Sequence, residues 1–427
     1  MTRRVAIAAA VVWVLQACGG SGGTPASTAP GAKRIASIAI TGEPVIVFDH
    51  TRDQQEARNI PDAQVTAWRE ADGTVNLLIP SMENYRMRGP DLLHLSMDPA
   101  KIYSSAASGH QIAEAEHDYD HWLMGPYSTD GVHFVTLAHS EWYACLLNGD
   151  CAQPTSTTTD AGANSWANTL NSLASADGGA TWQLNTVGGN HVVADTAYHW
   201  TGSTALAQRA YLQAMNHSGL FGPTRLVQAG AWWYAVAYSI HRDFTPIDLA
   251  NGNAEAPIDK FGYVLMRTSD PGNPNGWQAW NGGAVFNDIS SQQFLPFLPQ
   301  SNGAALDVAT PQLVYDTVAQ CYILFFTRYG QPTSVYYTTT KSLAAPAWSE
   351  ATAIVGSAQF VSDAAGQVAG FNNENYVSII DPKAAGFNFD STSGSPMLFY
   401  NTSPAAYGGD NQARDVYRVQ LTVNYGP

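Results

Sequence analysis

The chain has 427 residues and a formal net charge of −15, with only 13% charged and 11% aromatic residues. Its 37 glycines and 23 prolines break helical periodicity and suit many short strands joined by tight turns. No Lys/Arg cluster lies beyond the first residues, which argues against a nucleic-acid partner.

The chain opens on a processing signal. Arg3 and Arg4 form a charged start, and Val5 to Leu15 is an apolar run too short to span a bilayer. Residues 1–17 are therefore expected to be a signal peptide. Leu15-Gln16-Ala17-Cys18 resembles a bacterial lipobox. In that class the cysteine, here Cys18, is lipidated and becomes the mature N-terminus. Burial of its lipid supplies ~0.8 kcal/mol per CH₂. Residues 18–34, rich in Gly, Ser and Pro, read as a flexible tether. The resemblance implies an envelope protein touching the membrane through this anchor alone. No aspartate follows Cys18, which by the same resemblance points to the outer membrane or cell surface, with secretion as the alternative.

After the tether, from residue 35 to 427, one pattern recurs. A polar or Pro-containing opener leads into two apolar strands, then into a strand ending in Ser/Thr/Asp turns. The openers are Ile60-Pro61-Asp62, Tyr119-Asp120-His121-Trp122, Gly222-Pro223-Thr224, Thr310-Pro311-Gln312 and Asn375-Tyr376-Val377-Ser378. Five such units predict an all-β fold, a five-bladed β-propeller of four-stranded blades. The early strand Ile35 to Ile40 is placed to complete the last blade and remove a free edge. Inserts at 148–166, 184–221 and 287–306, the last with a short helix, are expected to shape a binding face.

Ser175-Ala176-Asp177-Gly178-Gly179-Ala180-Thr181-Trp182 reads as S-x-D-x-G-x-T-W. It matches the Asp-box of sialidase-type β-propellers at every fixed position. Asp177 can bond backbone groups two residues on, the glycines permit positive φ, and Trp182 packs under the turn. The resemblance implies a fold marker on an outer hairpin, away from the active site. Cys145 and Cys151 are close enough in sequence to staple one loop in an oxidising compartment, while Cys321 lies in an apolar run and reads as a buried free thiol.

The leading residues of each opening strand face the channel mouth in this architecture. Asp62 and Asp120 hold that place in the first two units, and Glu141 ends the next strand in Ala138-His139-Ser140-Glu141-Trp142. Glycoside hydrolysis needs two carboxyl groups flanking the scissile bond, in different environments. Asp62, Glu141 and Asp120 are thus the candidate catalytic acids. Arg69, Arg86, His139, Trp142, Trp200 and Glu374 are candidate substrate contacts, the aromatics because sugar faces stack on rings. His117 and His121 stand four apart ahead of a strand, where they need not converge, so no side-chain metal site is expected. No cofactor is expected either. A structural Ca²⁺ held in the channel by carbonyls and water is the one ion left open.

In blade number and in Asp62 the chain resembles the five-bladed arabinanase/xylosidase-type glycosidases. It also resembles uncharacterised secreted bacterial propeller proteins, through Ile60-Pro61-Asp62, Arg69 with Asp72-Gly73, Asn84 to Gly89, Thr129-Asp130-Gly131, His139 to Trp142, the Asp-box, Asp381-Pro382 with Asn388-Phe389, and Arg414 to Arg418. The resemblance implies a glycoside hydrolase acting on a polysaccharide or oligosaccharide. It departs at one place. Those enzymes carry an acidic glutamate on the third blade's opening strand, and residues 216–223 contain none. The acid is then Glu141, or Glu374, or absent. The alternative is a non-catalytic carbohydrate-binding or surface-interaction propeller. A sialidase would need three arginines clamping a carboxylate, and no spacing singles out three. A monomer is expected.

Overall fold

A computed structural model describes residues 33–57, 59–105, 120–143, 166–195, 218–242, 258–306, 308–328, 334–357, 376–402 and 413–427. Among these, helix is limited to one turn, α1 (His50–Asp53), a helical Ser357 at the edge of the described residues, and a 3₁₀ turn at Ile289–Ser291, which stands where a short helix was expected. The rest of the regular structure is strand. Two early strands, β1 (Arg34–Ile40) and β2 (Val45–Phe48), belong to the last sheet. The first meander is β3 (Thr66–Arg69), β4 (Val75–Ile79), β5 (Glu83–Gly89) and β6 (Ser96–Ser104), antiparallel in that order.

The second group is β7 (Asp120–Tyr127), β8 (Phe134–Tyr143) and β9 (Trp166–Ser175), with β10 (Gln183–Leu184) and β11 (Val192–Ala194) both on β9. In the third, β12 (Gly219–Phe221) and β13 (Val227–Ala229) pair with β14 (Trp232–Arg242), followed by β15 (Ile258–Thr268), β16 (Gln278–Trp280) and β17 (Phe286–Asp288). One parallel bridge, Gly219 to Asn168, fuses these two groups into an 11-stranded sheet. Only glycine fits there: φ is +116°, and a Cβ would stand 1.9 Å from the Asn168 carbonyl oxygen.

A small hairpin, β18 (Gln300–Ser301) and β19 (Ala304–Ala305), precedes the fourth sheet of β20 (Val308–Asp316), β21 (Cys321–Arg328), β22 (Ser334–Thr340) and β23 (Thr352–Ala353). Of the remaining strands, β24 (Ser378–Ile380), β25 (Ser391–Thr392), β26 (Met397–Thr402) and β27 (Asp415–Gly426), β25 runs parallel to β20. The last sheet has the order β1-β27-β26-β24, with β2 on the other part of β27. The strand at Ile35–Ile40 is thus paired along its length with the C-terminal strand. Strand counts vary from sheet to sheet and do not repeat a uniform four.

Both faces of these sheets are buried, which explains runs that read as continuously apolar. In β21, Ile323 and Phe325 enter a core shared with the last sheet, while Leu324 and Phe326 enter one shared with the third. Trp68 and Leu78 of the first sheet meet Leu123, Phe134 and Trp182 of the second. Leu137 and Leu170 of the second meet Leu220 and Ala235 of the third. Phe399 and Val416 of the last meet Val65 and Leu77 of the first. Each fully buried Phe or Leu contributes about 1.5–3 kcal/mol relative to exposure. The leading strands also touch in succession: β3 with β7 and β24, and β20 with β13 and β24. Gly125 of β7 lies against Arg225, just ahead of β13.

Candidate functional site

Asp62 sits at the entry to β3, where its backbone N–H donates to the Pro80 carbonyl at 2.9 Å. Proline at position 61 leaves that residue's carbonyl as its only backbone hydrogen-bonding group. Asn401 Nδ2 from β26 takes it at 2.6 Å and also reaches the Ala63 carbonyl at 3.4 Å. The Asp62 side chain is held as firmly. Arg414, on the residue before β27, pairs through Nη1 with Asp62 Oδ1. The Tyr376 hydroxyl, from the opener of β24, donates to the same oxygen at 3.4 Å. Arg414 is 7% exposed and Asp62 19%. Both donors take Oδ1, which leaves Oδ2 as the oxygen turned to other work.

The second sheet supplies the facing wall. Asp120 of β7 is directly opposite Glu141 of β8, and Trp122 is opposite His139. Side chains two apart in a strand share a face, so these four stand together. Asn168 of β9 extends the row beside Glu141. Trp122 and His139 stack with ring centroids 5.3 Å apart, and Phe221 lies 5.8 Å from His139. Trp122 is 3% exposed and packs with Ala63, the neighbour of Asp62.

His139 donates from Nε2 to Asn168 Oδ1 at 2.8 Å, an orientation that leaves Asn168 Nδ2 to donate to the Ser218 carbonyl. Burial pushes the imidazole down to about 4, against the opposing pull of the Asn168 bond and the charge of Asp62. His139 is therefore neutral near pH 7, and its 3.6 Å approach to Glu141 Oε1 is a contact of a neutral ring with a carboxyl group. His121 points to the other face, with Nε2 2.9 Å from Asn171 Nδ2 and Nδ1 3.4 Å from the Tyr103 hydroxyl. His117, four residues before it in the sequence, lies outside the described residues.

The remaining candidates are scattered. Arg69 is at the far end of β3, donating to the Ala384 and Gly386 carbonyls with its guanidinium 4.7 Å over the Phe389 ring. Arg86 is buried in the first meander, bonded to Asp98 at 3.0 Å and 3.6 Å from Glu70. Neither joins the Asp62 cluster. Trp142 lies in β8 but its side chain is outside the description, as are Cys18, Cys145, Cys151, Trp200 and Glu374 altogether. Cys321 is buried and free. Asn401, Asn168 and Phe221 belong to the site but carried no local signal in the sequence, while Trp122 and Tyr376 were marked only as parts of strand openers. Arg414 was marked only as the start of the stretch Arg414 to Arg418.

The Asp-box lies at the other end of β9 from Asn168. Asp177 accepts from Thr181 N at 2.9 Å, Thr181 Oγ1 at 2.7 Å and Ser175 Oγ at 2.8 Å. Trp182 Nε1 donates to Gly179 O at 3.1 Å, and Trp68 of the first sheet caps Gly178 O at 2.9 Å. Gln64 Nε2 reaches across to the Pro311 carbonyl at 3.4 Å, and Arg225 bonds the next residue, Gln312, and the Phe389 carbonyl. A Ca²⁺ cage needs converging oxygens. At this level the described residues present the Pro311 and Phe389 carbonyls already taken by N–H donors, with the charged Arg225 guanidinium, which would oppose a Ca²⁺ ion held beside it.

No family model matches this chain, and no curated protein does. Among solved structures, it is similar to a protein of unknown function from Dyadobacter fermentans at 11% identity and TM-score 0.47, over 91% of this chain and 100% of the other. It is similar to the catalytic domain of a GH62 α-L-arabinofuranosidase from Coprinopsis cinerea at 11% identity and TM-score 0.42, over 93% and 99%. An endo-1,5-α-L-arabinanase from Thermotoga petrophila gives 10% identity and TM-score 0.44, over 89% and 72%. At TM-scores below 0.5 these likenesses decide neither fold nor activity.

Proposed function

We propose that this chain is a five-bladed β-propeller of glycoside-hydrolase type, acting on a polysaccharide or oligosaccharide through Asp62 and Glu141. The head-to-tail succession of shared cores and touching leading strands supports the propeller reading. The observation that carries the enzymatic reading is the hold on Asp62. Its backbone N–H and one carboxylate oxygen are held by Pro80, Arg414 and Tyr376, and Asn401 fixes the carbonyls of its two neighbours, beside a second sheet that presents two more acids. Such pre-organisation is what positioned acid–base chemistry requires.

In this reading Asp62 is the base. It takes a proton through Oδ2 from a water that attacks the anomeric carbon. Glu141 is the acid and gives its proton to the leaving glycosidic oxygen as the C–O bond breaks. Asp120, opposite Glu141, orients it. His139 is not the acid at neutral pH, being already deprotonated with its one N–H committed to Asn168, and burial, which lowers its proton affinity, makes it a poor base. With Trp122 and Phe221 it forms an apolar wall suited to a sugar face. The mature protein is proposed to be a monomer, tethered by residues 18–34 to a lipid on Cys18 in the cell envelope.

A second reading is a non-catalytic carbohydrate binder. It is favoured by Phe221, which meets His139 from the segment where the arabinanase type carries its glutamate. A panel of aryl-glycosides and polysaccharides, run with wild type and Asp62→Asn, separates the two. Turnover in wild type that is lost in Asp62→Asn supports the hydrolase. Saturable binding equal in both proteins, without product, supports the binder.

A further inference from the structure

Arg225 is the largest charged side chain at the centre of the leading strands. It is 2% exposed. Its Nη1 donates to the Phe389 carbonyl and its Nη2 to Gln312 Oε1 at 3.3 Å. Two donors beside that bond, Arg225 Nε–H and Gln312 Nε2, are buried and have no partner among the described residues. Turning the Gln312 amide over gives no relief, because its NH₂ would then face the guanidinium. The position is therefore short of acceptors, not merely misassigned.

It is also short of negative charge. Burial lowers the guanidinium to about 10, so it stays charged at neutral pH. Among the described residues no carboxylate pairs with it. The acid whose charge reaches it is Asp390, whose own carboxyl is pushed upward by burial. Buried charges are normally paired, since an unpaired one loses its hydration without compensation. A water molecule would answer the two donors and leave the charge. A cation would be repelled. An oxyanion large enough to span the guanidinium would have to displace the Gln312 oxygen or the Phe389 carbonyl.

We propose that Arg225 and Gln312 bind a small monovalent anion of halide size, held by Arg225 Nε–H and Gln312 Nε2–H. The anion joins the third and fourth segments of the ring to each other. The inference rests on the packing of the leading strands and is independent of whether Asp62 performs hydrolysis.

Thermal unfolding of the mature protein, exchanged into gluconate at fixed ionic strength, is followed as bromide or chloride replaces gluconate. The expected result is a saturable rise in Tm with either halide. It should be absent in Gln312→Leu and in Arg225→Met. Crystals of wild type grown in bromide should show an anomalous peak between Arg225 Nε and Gln312 Nε2. This last measurement decides the matter even if both variants fail to fold. A Tm indifferent to halide at fixed ionic strength, with no anomalous peak there, would overturn the proposal and leave water as the occupant.

Discussion

Gly125→Ala tests the close approach of neighbouring leading strands, on which the proposed ring depends. Gly125 has φ +70°, and a Cβ built on it stands 2.4 Å from Arg225 Cα and 3.0 Å from Arg225 N. These are backbone atoms, so no side chain can rotate away. The left-handed conformation costs about 1–2 kcal/mol for alanine, and overpacking a tight contact adds about 1–3 kcal/mol. The expected loss is therefore about 2–5 kcal/mol. Gly73→Ala is the control: its φ is +93°, but nothing lies within 4 Å of the added Cβ. It should cost only the conformational part, about 1–2 kcal/mol. Urea unfolding gives both values from the midpoint shift at unchanged m. Equal losses for the two variants would refute the close contact between β7 and the Arg225 segment.

Three further outcomes follow from the site. The buried His139 is held near 4 against an unfolded value of 6.5, so only the unfolded chain takes up that proton between these values. Stability should fall as pH drops from about 6.5 to 4, by at most about 3 kcal/mol, and His139→Gln should flatten that slope in pH-dependent denaturation curves. Arg414→Met removes the charged partner of Asp62. It should lower kcat at least tenfold, while Arg414→Lys recovers part of it; unchanged turnover in Arg414→Met would make the pair purely structural. Cys18→Ala should move the protein from the detergent phase to the soluble fraction, and a wild type already soluble would end the lipid-anchor reading.

The parts of the fold legible in the sequence were those carried by local pattern. The apolar strands, the Asp-box turn and the edge-closing strand at Ile35–Ile40 each leave a signature within a few residues. Asp62, Asp120 and Glu141 stood out because an acid beside a strand opener or between aromatics is unusual. What was not legible depends on distant segments meeting. The partner of Asp62 is 352 residues away, and nothing around Arg414 announces it. The fusion of the second and third groups turns on Gly219, inside a stretch that reads as an insert. A second Asp-box-like turn was hidden by an altered spacing. Thr268 Oγ1 accepts from Asp270 N at 3.1 Å, Asp270 Oδ1 accepts from Gly272 N at 2.9 Å, and Trp277 is buried as Trp182 is. Asn273 to Gly276 stand between the glycine and the tryptophan where the template has only two residues, which breaks the template but keeps the turn. Arg69 and Arg86 lie apart from Asp62 for the converse reason: an arginine in a strand looks the same whether it faces ligand, neighbouring carbonyls as Arg69 does, or neighbouring carboxylates as Arg86 does.

The most direct test of the central claim is the pH dependence of kcat/KM for wild type, Asp62→Asn and Glu141→Gln on the saccharide that the panel identifies. Acid–base assistance is worth ~10²–10⁴-fold in rate. Each variant should lose turnover on that scale while KM moves little, because both amides keep shape and hydrogen bonding. Asp62→Asn should lose the acidic limb of the profile, where the base is titrated, and Glu141→Gln the basic limb, where the acid is. Wild-type turnover in both variants, or loss of the same limb in both, would contradict the assignment of Asp62 and Glu141 as base and acid.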